Sequence, residues 1–173
     1  MAHEDMRRSQ RAHRRLRAPL PDAPALTEGL RLLLRREVVV QAAFSEPSRP
    51  RVVAEYIGAG RVVVGVADLR LSAALAASLA LLPVDLVDAA VQAQRLEPPL
   101  DDHAHRAFLS LATLLDFPAY APVELAAIAQ PGDFLSHEGR LAFTATRDRL
   151  DLVVGIDGYG GGRLQFRTAW GAI

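Results

Sequence analysis

The chain has 173 residues, half of them apolar and 23% charged, and its formal net charge is zero. That length and apolar share supply one domain with a substantial core, and they exclude wholesale disorder and collagen-like fibres. The absence of cysteine excludes a disulfide frame, a thiolate nucleophile and any cysteine-based zinc or iron–sulfur site, and it fits a reducing cytoplasm.

The neutral total conceals a segregation of charge. Residues 1–18 carry Arg7, Arg8, Arg11, Arg14, Arg15 and Arg17 against Glu4 and Asp5, a surplus of four positive charges, and the rest sets fourteen arginines against eighteen acids. Every basic residue of the chain apart from histidine is arginine, so Schiff-base chemistry on a lysine and the lysine-dependent Walker A phosphate loop are both excluded. A secretory leader needs an apolar run of roughly 7–15 residues after its basic start, and Pro19, Pro21, Asp22 and Pro24 stand there instead. Residues 1–24 therefore read as a disordered basic arm and 25–173 as a single domain.

From Ala25 to Arg36, Leu26, Leu30, Leu33 and Leu34 fall at helical spacing, with Asp22 or Thr27 available as a start signal. Glu37–Phe44 is β-branched and stops at Pro47 and Pro50. Strands are expected over 51–57 and 61–70, joined by Gly58-Ala59-Gly60. Residues 71–82 are rich in alanine and leucine nearly all round, predicting a buried helix capped by Ser72 and ended by Pro83. Its neighbourhood holds the longest uncharged run, Leu71 to Val84, whose 14 residues fall short of the roughly 20 that span a bilayer.

A further helix over 85–95 carries Leu86, Ala89 and Ala90 on one side. The next begins near Asp101-Asp102 and runs to Leu115, with Ala104, Phe108, Leu111 and Leu115 forming a core-facing stripe. Beyond Pro118 and Pro122 four strands are expected, Val123–Ala129, Arg140–Thr146, Leu150–Asp157 and Arg163–Ala169. The order predicts an α+β fold in which two or three helices pack on an antiparallel-dominated sheet.

Three clusters carry chemistry in principle. Asp101, Asp102, His103 and His105 are dense in ionisable groups, and Asp101 and His105 share a helix face, with His137 the other histidine able to complete a metal set. His103 and His105 point about 200° apart, and the plainer reading is a solvated helix start. Asp133, Ser136 and His137 hold the residue types of a hydrolase triad on one loop, without a Gly-x-Ser-x-Gly elbow. Gly158–Arg163 has the glycines of a phosphate loop but is flanked by β-like residues, which favours a hairpin tip. No catalytic residue, metal or cofactor is expected. The arm arginines Arg7, Arg8, Arg11, Arg14, Arg15 and Arg17 are the expected partner contacts; they would neutralise an acidic protein, or the phosphates of nucleic acid or lipid. The arm lacks aromatics for base stacking, which puts protein ahead of nucleic acid.

The succession Val62-Val-Val-Gly-Val-Ala-Asp-Leu69, the helix Leu71–Leu82 with Pro83, an acidic linker, and the helix Asp102–Leu115 resembles the CheX/CheC-type chemotaxis phosphatase and flagellar-switch superfamily across residues 25–170. The resemblance implies a Gly-containing strand before an alanine-rich helix, and a second long helix on the same sheet. It also implies, for phosphatase members, a helix bearing Glu and, three residues on, Asn. Here that helix reads Arg106, Ala107, Phe108, Leu109, Ser110, and the whole chain has no asparagine. The expectation is a cytoplasmic, non-catalytic scaffold or binding module for a signalling or motility protein. Homodimerisation is also expected, because so much apolar helix leaves a face to cover. Nucleic-acid association through the arm is the alternative.

Overall fold

The computed structural model describes residues 20–58, 60–116, 122–144 and 148–170. Most of the basic arm, including all six of its arginines, lies outside the described residues. The elements follow as α1 (Ala23–Leu34), β1 (Val38–Ala42), β2 (Arg51–Gly58), β3 (Arg61–Asp68), α2 (Leu69–Leu79), α3 (Asp85–Ala93) and α4 (Leu100–Leu111), the last extended by a 3₁₀ turn over Ala112–Leu114. Then come β4 (Glu124–Ala129), α5 (His137–Thr144), β5 (Arg149–Ile156) and β6 (Gly160–Trp170).

The six strands form one sheet in the order β1-β5-β6-β3-β2-β4, and every neighbouring pair is antiparallel. With the five α-helices among the described residues this is the α+β architecture that the order of apolar patterns predicts. Alternation along the strands sends Val63 and Ala67 of β3 and Leu164 and Phe166 of β6 to one face, where α1, α2, α3 and α4 cover them in the main core. Val62, Val64 and Val66 point the other way, into a smaller core closed by Ala142, Phe143 and Leu135.

Local chemistry sets the helix boundaries. Asp22 accepts from the Ala25 amide at 2.8 Å and caps α1, and Pro24 sits within the first turn, where no amide is needed. The cap of α2 is Asp68, not Ser72: its Oδ1 accepts from the Leu71 amide at 2.9 Å, so the helix starts two residues earlier than expected. Ser72 lies inside the helix and returns its hydroxyl to the Asp68 carbonyl. The helix also ends at Leu79, ahead of Pro83, and in α3 the buried side is Val87 and Ala90 while Ala89 is exposed. The stripe of α4 is as expected, with Ala104, Phe108, Leu111 and Leu115 all buried.

One element is corrected in kind. Of the segment expected as a strand over Arg140–Thr146, the described residues 140–144 belong to the helix α5, lying across the second face of the sheet against β3 and β6. Ser136 begins it by accepting the Gly139 amide on its hydroxyl at 2.9 Å, and the buried Glu55 carboxylate of β2 accepts both the Ser136 amide, at 2.9 Å, and its hydroxyl. At the far end the Phe143 carbonyl accepts from Arg167 of β6, whose guanidinium also stacks on the Phe143 ring at 4.8 Å. A carboxylate at the first turn and a guanidinium at the last both match the helix dipole.

Candidate functional site

The first two turns of α4 bring Asp101, Asp102 and His105 to the wall of a cavity of about 280 Å³, together with Leu96, Gln130 and Asp133. The i, i+4 relation of Asp101 and His105 thus places both on one cavity. Asp102 and His105 are exposed, and Asp101 accepts from the Asp102 amide at 2.9 Å, the bond of a helix start. Among the described residues no group of three or more histidines and acids is placed to hold a metal ion. His137 does not join this cavity; it opens α5.

Ser136 and Asp133 are placed in a helix cap and a turn. Ser136 gives its hydroxyl proton to Glu55 and accepts the Gly139 amide, so its oxygen is committed to capping a helix. Asp133 accepts from the Gln130 amide at 2.8 Å and closes the turn after β4.

Gly158–Arg163 is the β5–β6 hairpin. Gly158 and Gly160 hold positive φ of 78° and 79°, which L side chains rarely adopt, and β6 follows directly with no helix to share an anion. Gly162 pairs with Val154, and a Cβ there would overlap the Asp68 carboxylate, whose Oδ2 accepts the Arg163 amide at 2.8 Å. The hairpin is therefore tied to the start of α2. Behind it Tyr159 donates to the Leu82 carbonyl at 2.9 Å, and Arg36 stacks on its ring.

The densest charged constellation is one that local sequence does not announce. Glu46, in the loop after β1, receives Arg167 at 2.8 Å, Arg149 at 3.2 Å and Arg51 at 3.3 Å, while its backbone carbonyl accepts from Arg163 at 3.3 Å. Arg149 also meets Asp151 at 2.6 Å, a bond that raises the guanidinium above its ordinary range, and Gln165 bridges Asp151 to Arg167. The signal was the period-two placing of Arg149 and Asp151 on β5 and of Arg163, Gln165 and Arg167 on β6, which puts all five side chains on one face. Every carboxylate in the cluster is matched by a guanidinium, so it braces the loop and the sheet.

On the same face, beyond α5, Val39 of β1 and Val153 of β5 stand exposed on neighbouring strands, and Phe44 is fully exposed in the loop after β1. Among the described residues β1 stands at an edge of the sheet, paired on one side by β5. Among the described residues no helix is long and apolar enough to cross a membrane.

No protein-family model matches the chain, and no curated protein matches it. Solved structures do. The FliM middle domain from H. pylori superposes with a TM-score of 0.55 at 9% identity, covering 84% of this chain and 83% of that one. A FliG–FliM complex from H. pylori gives 0.54 at 12% identity, covering 83% of this chain and 84% of that one. A FliM–SpeE complex from the same organism gives 0.53 at 10%, covering 84% and 80%. At such identities the likeness is one of fold, and the fold of this chain is that of the FliM middle domain.

Proposed function

We propose that the chain is a non-catalytic, cytoplasmic protein-binding module of a bacterial motility or chemotaxis assembly. The observation that carries this reading is the combination of a FliM-like fold with an α4 whose unburied positions past the first turn are His105, Arg106, Leu109 and Ser110, in a chain without asparagine. A phosphatase of the resembled kind needs a carboxylate to grip its partner and an amide to orient water, and α4 supplies neither beyond its first turn. The H. pylori FliM domain that shares this fold occurs in complexes with FliG and with SpeE, which supports a protein partner here.

Two surfaces suit that role. The arm arginines Arg7, Arg8, Arg11, Arg14, Arg15 and Arg17 would meet acidic side chains of the partner, and the apolar positions Val39, Val153 and Phe44 would be covered by it or by a second copy of this chain. The six arginines also keep a second reading alive, nucleic-acid association through the arm.

One experiment separates the two. The full chain and a chain lacking residues 1–18 are titrated against the FliG-type and CheY-type proteins encoded in the same genome and against random-sequence duplex DNA, at two salt concentrations. A protein complex, with no DNA binding at physiological salt, supports the proposal. Tight DNA binding that falls steeply with salt and vanishes with the arm, with neither protein bound, contradicts it.

A further inference from the structure

We propose that the cavity between the start of β2 and the turn after β4 is a binding site for a small organic anion, a carboxylate or phosphomonoester on an apolar body. The cavity measures about 500 Å³, within the range of small-molecule sites. It lies on the α5 face of the sheet, floored by Val53 and Ala129 and walled by Leu135 and Phe143.

The unspent polar groups on this wall are mainly donors. Arg49 is exposed at the cavity and makes no hydrogen bond or ion pair with any described residue. Arg51 spends Nε on the Pro47 carbonyl and Nη2 on Glu46, which leaves Nη1. Gln130 spends Oε1 on the Leu96 amide, leaving its NH2 group. Asp133 turns Oδ2 to the Gln130 amide and Gln94 gives its NH2 group to the Val91 carbonyl, so the acceptors left on the wall are Asp133 Oδ1 and Gln94 Oε1. Two guanidinium groups and a side-chain amide around an apolar floor match an acceptor-only headgroup, with Arg49 able to take a carboxylate or phosphate with two parallel N–H bonds. The apolar floor asks for a hydrocarbon body and not a bare ion.

This site is independent of the protein-binding role and is tested separately. The full chain, labelled with nitrogen-15, is titrated with phenyl phosphate, phenylacetate, benzyl alcohol and inorganic phosphate while amide shifts are followed. Phenyl phosphate and phenylacetate are expected to move the amides of Ala129, Gln130 and Gly132, at least tenfold more tightly than either benzyl alcohol or inorganic phosphate. Arg49→Gln, at an exposed position, is expected to keep the native spectrum and lose at least tenfold in affinity for both aromatic anions. The proposal is overturned if neither aromatic anion moves these amides, if inorganic phosphate or benzyl alcohol binds as well as they do, or if Arg49→Gln leaves their affinity unchanged.

Discussion

Ser136 donates both its amide and its hydroxyl to the buried carboxylate of Glu55, a residue 81 positions earlier in the chain. This pair seats α5 on the second face of the sheet, and Gly139 lets it do so: a Cβ at that position would overlap the carboxylate. Ser136→Ala is expected to cost about 1–2 kcal/mol by removing the cap and one of the bonds to a buried charge. Gly139→Ala is expected to cost about 1–3 kcal/mol through overpacking against it. Urea unfolding checks both, and near-wild-type midpoints would show that α5 is not anchored through Glu55.

Asp68 has a comparable role on the main core side, serving the Leu71 amide at the start of α2 and the Arg163 amide of β6 with its two oxygens. Asp68→Ala leaves two amides without these partners, and a loss of about 2–4 kcal/mol is expected in the same assay. Asp68→Asn keeps acceptor capacity for one of the two amides and is expected to lose less.

Tyr56 gives the chain a pH dependence. Its hydroxyl donates to the Phe108 carbonyl at 2.9 Å from a fully buried site, and burial pushes the phenol well above its ordinary value. Since the folded state holds the proton more tightly than the unfolded one, this contribution is complete below about pH 10 and is lost as pH rises further, by about 1.4 kcal/mol per pH unit. Tyr56→Phe is expected to cost about 1 kcal/mol at neutral pH and to flatten the alkaline decline. Chemical denaturation from pH 8 to 11 measures both; equal alkaline slopes in the two proteins would contradict the assignment.

The fold was legible where one face or one run dominates. The valines of β2 and β3 and the alanine-rich α2 declare themselves through composition, and the stripe Ala104, Phe108, Leu111, Leu115 through period. The segment Arg140–Thr146 misleads because Leu141 and Phe143 alternate as in a strand. What decides for helix is Glu55, and no local pattern contains it. The same distance in sequence hid the Glu46 cluster, whose arginines come from β2, β5 and β6. By contrast Asp101 and His105 could be placed on one face by spacing alone, and they do line one cavity. Spacing could not tell that their neighbours across it would be Gln130 and Asp133.

The central claim, binding without turnover, is tested most directly by the dephosphorylation rate of a CheY-type response regulator phosphorylated on its aspartate, measured with and without a stoichiometric excess of the full chain. The account predicts the same half-life in both. A half-life shortened tenfold or more, in a chain with no asparagine to orient water, would contradict it.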